Sequence, residues 1–215
     1  MTKSRLGYRL SIADAILAFL YLVTVLGILL FDQFPPSPPY QRAAGWVVLV
    51  SAPLLIWLWV IIYEAMPAEK HILSLGSLCM MIIFGTLACL NRYVSLTVIP
   101  QAQAIGKTDG LDWFQIYSWP SIMAAVEYLA WGFFLGLAFI CLAPAFGNGK
   151  LERFIFWTLI ISGIFCLAAA LGQVLHNIPL SMIGFLGWGP GLIIILLLLA
   201  KWFNQQEPVI STGGK

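Results

Sequence analysis

Six runs of mostly apolar residues follow one another along the chain, parted by short polar or helix-breaking stretches. A helix rises about 1.5 Å per residue, so about 20 such residues cross a hydrocarbon core about 30 Å thick. The pattern predicts spans at 10–31, 43–63, 71–99, 120–143, 154–176 and 180–203. The first closes on Asp32 and FPPSPPY, whose prolines cannot continue a helix. The second holds Pro53, an expected kink. The third is expected to run past Asn91 and Arg92 and stop at Ile99, before Pro100. The connection 101–118 mixes Lys107, Asp109 and Asp112 with Trp113, Phe114 and Tyr117, which suits rings lying at headgroup level. The fifth span is stopped by Asn177 and Pro179, and the sixth contains GFLGWGPG at 184–191. Residues 204–215 read as a polar, disordered cytoplasmic tail. No internal repeat stands out, so an inverted-repeat transporter has no support from pattern.

Composition turns this pattern into a fold class. The 215 residues are 61% hydrophobic and 9% charged, against about 25% charged in soluble domains. That leaves too little polar surface for a water-soluble globule. The expected fold is an all-α integral membrane protein, a six-transmembrane-helix bundle forming one domain over 1–203. The net charge of +2 gives no reason to expect nucleic acid. Its distribution sets orientation. Lys3, Arg5, Arg9, Lys70, Lys150, Arg153, Lys201 and Lys215 fall on the side shared by the termini, and Arg42, Arg92 and Lys107 on the other. The positive-inside rule then puts both termini in the cytoplasm. The first span lacks a small-residue cleavage site and reads as retained rather than as a signal peptide. Cys79, Cys89, Cys141 and Cys166 lie in apolar runs without a CxxC pair and read as small buried hydrophobes.

The chemistry gathers around Glu127, an acid inside the fourth span. An acid in hydrocarbon costs on the order of 3 kcal/mol and takes a partner or a proton. Glu127 lies seven residues beyond Pro120, roughly 10 Å from the outer boundary. Arg92 lies 21 residues beyond His71, roughly 31 Å along the third span, with Asn91 beside it. Gln173, His176 and Asn177 stand at i, i+3, i+4 and are expected on one face at the outer end of the fifth span. Met123, Ala124, Ala130, Trp131 and Phe134 share the face of Glu127, and Trp188 sits in the glycine-rich stretch. The GxxxG pair Gly132/Gly136 points roughly 140° away, suited to close packing or to homo-oligomer contact. Plainer readings stand beside these. Arg92 snorkels to headgroups, His176 merely ends a helix, the glycines only kink the sixth span, or Glu127 and Arg92 form a structural ion pair. Asp14 is expected at the interface with no role. His71 and His176 fall at opposite boundaries, so they cannot share a haem, and no metal-binding, P-loop or dinucleotide motif occurs. No cofactor or metal is expected.

The runs NRYVSLTVIP (91–100), SIMAAVEYLAWGFFLGLAFICLAPAF (121–146) and LERFIFW (151–157) resemble a group of uncharacterised bacterial polytopic inner-membrane proteins. The resemblance implies a helical bundle in a bacterial inner membrane and supplies no activity. In size and predicted orientation the chain is also similar to the six-span substrate-binding subunit of energy-coupling vitamin transporters. It departs from that pattern at Ala13, Ala15 and Ala18, which do not make the paired alanines four apart in the first span.

The leading expectation is an outer-half pocket built from Glu127, Arg92, His176, Asn91, Gln173, Trp131 and Trp188. It would bind or translocate a small amphipathic or cationic molecule, or a lipid. The alternatives are an accessory or scaffold subunit of a larger membrane complex and, third, a lipid-modifying enzyme using Glu127 as general acid or base.

Overall fold

The computed structural model describes residues 2–32, 36–147 and 149–206. Six helices in it are long and apolar enough to cross a membrane. They are α1 (Lys3–Phe31), α2 (Pro38–Ala65), α3 (His71–Ala104), α4 (Ile122–Ala145), α5 (Lys150–Val174) and α6 (Ile178–Gln205). Local chemistry sets their starts. Thr2, Ser121 and Asn177 each accept a backbone N–H of the first turn, from Arg5, Ala124 and Leu180 respectively. Pro38 and Pro39 open α2, where a missing N–H costs nothing.

The helices close into a ring in chain order. Each packs on the next, and α6 returns to α1. The ring's interior is apolar, with Leu58, Trp59, Met81, Phe84, Leu135 and Phe139 among its buried members. Its outside is apolar as well: Phe31, Ile72, Val174 and Ile178 are strongly exposed. A surface of that kind is stable only against lipid. The protein is an all-α, six-span membrane helix bundle.

Polar groups mark its two ends. At one, Lys3 pairs with Glu64 at 2.8 Å, and Lys70 Nζ donates to the Ala145 carbonyl at 2.6 Å. At the other lie Asn91, Arg92 and the turn between α5 and α6. Between the ends, Trp59 Nε1 donates to Ser77 Oγ at 2.7 Å. Ser77 Oγ donates to the Ala138 carbonyl at 2.6 Å, so α2, α3 and α4 are tied inside the core.

Several expected boundaries shift. Helix α1 starts at Lys3 rather than residue 10, because Arg5 and Arg9 are compatible with a helix once outside hydrocarbon. Helix α3 does not stop at Ile99. It carries Pro100 and continues to Ala104, with Pro100 exposed. Helix α5 ends at Val174, two residues before His176. Helix α6 runs through Gln205, into what was read as tail, and 207–215 lie outside the described residues. Part of FPPSPPY, residues 33–35, also lies outside them.

The glycine pair has its partner within the chain. A Cβ on Gly132 would stand 2.9 Å from the Ala170 Cβ, and one on Gly136 would stand 3.0 Å from the Gly163 carbonyl oxygen. Both glycines are buried against α5. The expectation of a homo-oligomer contact through Gly132/Gly136 is therefore corrected: the seam is used up in joining α4 to α5.

Candidate functional site

Glu127 sits in the first turns of α4, with 16% of its side chain exposed. It is met there by two consecutive residues of α3. Arg92, almost wholly buried, pairs with Oε1, and Asn91 Nδ2 donates to Oε2 at 2.7 Å. The same Asn91 amide donates to the Met123 carbonyl at 3.0 Å, which fixes α3 against the turn of α4 before the acid. Arg92 also donates to the Tyr21 hydroxyl at 3.3 Å, and Tyr117 of the long connection sits against it. Tyr21 lies 18 residues beyond Lys3, roughly 27 Å along α1, the level expected of Arg92 on α3. Three spans and a connection thus converge on one carboxyl. Arg92 does not snorkel to a boundary; it turns inward.

Below the ion pair lies an aromatic cluster. The Tyr21 and Trp131 rings stack, 5.7 Å between centroids and 4° between planes. Phe84 meets Trp131 edge-on at 4.9 Å, and Trp188 lies 6.5 Å from Trp131 and 6.1 Å from Tyr128. Trp131 and Trp188 each sit in a segment of wider π-type winding, Leu129–Phe134 in α4 and Gly187–Gly191 in α6. Such segments recur at functional sites because the extra residue per turn re-aims side chains. The glycines of the second segment have a packing role. A Cβ on Gly187 would stand 2.6 Å from the Ser162 carbonyl oxygen, and one on Gly191 would stand 2.4 Å from Ser162 Oγ.

A cavity of about 10 Å³ lies within this cluster, lined by Tyr21, Ser51, Phe84, Trp131 and Trp188 together with apolar residues of α1, α2 and α6. That is the space of roughly one water. Glu127 is not on its wall. The expected pocket around the acid is therefore corrected to a narrow cavity, a turn deeper, beside Trp131. Dense aromatic packing fills the remaining space.

The structure brings Glu127, Arg92, Asn91, Trp131 and Trp188 together. Gln173 reaches the group only indirectly, lying close to Tyr128. His176 does not join it. The His176 backbone has φ 53° in the turn after α5, and its side chain is exposed. The Asn177 N–H closes that turn on the Gly172 carbonyl at 2.8 Å, and Asn177 caps α6. The expected Gln173–His176–Asn177 face is broken because the helix ends before two of its members.

Sequence reasoning missed Tyr21, Phe84 and Asp14. Tyr21 and Phe84 lie in apolar runs where an aromatic residue carries no signal of its own. Asp14, expected at the interface with no role, is fully buried in the bundle, where Ser51 of α2 holds it. It lies close beyond Arg9 in the sequence, and nothing there signals that neighbouring helices cover it.

Fold and site together define a polytopic all-α membrane protein with a buried ion pair set over an aromatic cluster. In comparisons with family models, curated proteins and solved structures, none matches this chain.

Proposed function

We propose that this protein binds and passes across the bilayer a small amphipathic molecule or lipid, whose polar part meets the Glu127–Arg92 pair. The observation that supports this is the unfinished hydrogen bonding around the pair. Asn91 Oδ1, Arg92 Nε and Trp131 Nε1 are buried with no partner among the described residues. Most buried polar atoms in proteins are paired, and a network serving only to brace helices gains nothing from leaving two donors and an acceptor open. Those three atoms suit a polar group that both accepts and donates. Arg92 already balances the charge of Glu127, so a cation has to displace Arg92, whereas a neutral or zwitterionic headgroup does not. The reading therefore favours the latter. Tyr21, Phe84, Trp131 and Trp188 supply walls for an apolar portion. A ligand larger than water enters by parting α1 from α4 at the Tyr21–Trp131 stack. With the lysine-rich end in the cytoplasm of a bacterium, as the charge excess favours, the ion pair lies in the outer half of the inner membrane.

Native mass spectrometry of the protein in lipid nanodiscs tests this. The expected result is a non-covalent adduct on the wild type that is lost in Glu127→Gln and in Trp131→Leu under conditions where both variants, the first destabilised by its unpaired Arg92, remain folded. No adduct on the wild type, or one that both variants keep, overturns the reading.

The small size of the cavity favours a second reading, an accessory subunit of a larger membrane complex whose polar network braces the bundle. That reading predicts a partner protein that co-purifies in mild detergent and is indifferent to Glu127→Gln. Lipid modification by Glu127 ranks third, because its expected partner His176 faces away from the network.

A further inference from the structure

Asp14 is a second buried acid, and nothing in the Glu127 network uses it. It is fully buried on α1, and Ser51 Oγ of α2 donates to its Oδ1 at 3.0 Å. Its Oδ2 has no hydrogen-bond partner among the described residues. Lys3, Arg5 and Arg9 of its own helix are exposed, and among the described residues it has no charged partner. The helices packed against α1 supply none. The charges of α2 are Arg42 and Glu64, the latter held by Lys3, and α6 has only Lys201, which is exposed. A carboxylate in such a place is a bare charge in a low-dielectric core, whereas the neutral acid needs only one acceptor for its O–H.

The surroundings give that proton a route. Ser51 lines the cavity beside Trp131, and so do Ala18 and Tyr21 of α1. Asp14, Ala18 and Tyr21 stand at i, i+4 and i+7 and share one face of α1. At the far side of the cavity, the Tyr21 hydroxyl accepts from Arg92, and Arg92 holds Glu127. Asp14–Ser51 and Tyr21–Arg92–Glu127 are thus two bonded polar groups on one line, parted by a mostly apolar cavity with room for about one water.

We propose that Asp14 is a proton-binding site, coupled along this line to the occupancy of the Glu127 site, so that transport is driven by protons. The coupling rests on the function proposed above; the proton site itself does not. The step is a simple transfer. The O–H bond of the Asp14 carboxyl breaks, its proton passes to a water molecule in the cavity, which leaves as hydronium or hands it on, and the charge left behind is held by the Ser51 hydroxyl. Reprotonation reverses it, and no oxidation or reduction takes part.

Infrared difference spectroscopy of the protein in nanodiscs, titrated over pH, reads this directly. The expected result is a carbonyl band of a protonated carboxylic acid that shifts in D₂O, titrates, and is lost in Asp14→Asn. In Ser51→Ala, which keeps the acid and removes its one hydrogen bond, the band stays and moves in frequency. In Glu127→Gln its titration midpoint moves by about one pH unit, tenfold in proton affinity. The proposal is overturned if no titrating band depends on Asp14, or if the midpoint is the same with and without the Glu127 charge. A titrating band without any ligand adduct removes the ligand reading and the coupling with it, and leaves Asp14 a proton site; an adduct without the band removes this proposal alone.

Discussion

The Tyr21 ring lies parallel to the Trp131 indole, 5.7 Å away, while its hydroxyl accepts from Arg92 at 3.3 Å. One side chain of α1 therefore holds both layers of the site, the ion pair above and the aromatic cluster below. Its two roles separate by mutation. Tyr21→Phe keeps the stack and loses only the hydroxyl, at an expected cost of about 1 kcal/mol. Tyr21→Leu loses the stack as well, worth about 0.5–1.5 kcal/mol beyond burial. Unfolding by denaturant in mixed micelles should rank wild type above Tyr21→Phe, and Tyr21→Phe above Tyr21→Leu.

The ion pair makes a sharper case. Removing one member leaves a buried charge uncompensated, typically 3–5 kcal/mol, while replacing both by apolar residues is often neutral. Arg92→Met is therefore expected to be severely destabilising. The double variant Arg92→Met with Glu127→Met should regain most of the loss. A double variant as unstable as the sum of the single ones would show that the two charges act independently, contrary to the contact seen here.

How much of this was legible in the sequence depended on the kind of signal. The six spans were legible because a 20-residue apolar run leaves the backbone no alternative to helix in lipid. Glu127, Arg92 and Asn91 were legible as a group because charges in apolar runs are rare and depth follows from counting. The burial of Asp14 was not legible, because counting gives a depth along one helix and not which other helices cover a residue. The π-type winding at Leu129–Phe134 left no mark in the sequence, since it arises from packing between helices. Nor did composition reveal that aromatic rings would fill the space expected for a pocket. His176 was misplaced because a histidine in a left-handed helix-ending turn looks, in sequence, like one more helical residue.

That turn supplies its own test. His176 holds φ 53° two residues beyond the end of α5, the position that glycine usually occupies in a helix-ending turn of this kind. His176→Gly removes a Cβ from a left-handed conformation and is expected to stabilise the bundle by up to about 1 kcal/mol. Thermal unfolding should show a raised midpoint, with the native-mass-spectrometry adduct unchanged. A loss of adduct would instead return His176 to the ligand site.

The seam between α4 and α5 is expected to be the least tolerant surface of the bundle. A leucine at Gly136 has to push aside the Gly163 backbone as well as Leu167 and Cys166. Backbone cannot yield cheaply, so Gly136→Leu should cost more than the 1–3 kcal/mol typical of overpacking and deplete folded protein. Gly76 is the control, since a Cβ there meets nothing within 4 Å and Gly76→Ala should be harmless. Size-exclusion profiles of whatever Gly136→Leu protein survives should show aggregated or unfolded material. A clean fold with only a change in oligomeric state would mean that this seam joins subunits after all.

Orientation decides which aqueous phase the Asp14 end of the bundle faces, and cysteine accessibility reads it. The four native cysteines lie within α3, α4 and α5, where a membrane-impermeant maleimide does not reach them. Lys107 lies in the connection between α3 and α4, and Lys150 at the start of α5, at opposite ends of the bundle. With the lysine-rich end in the cytoplasm, Lys107→Cys is labelled in intact cells and Lys150→Cys only after lysis. The reverse pattern would turn the protein over. The ion pair would then lie in the cytoplasmic half, and Asp14 would draw its protons from outside.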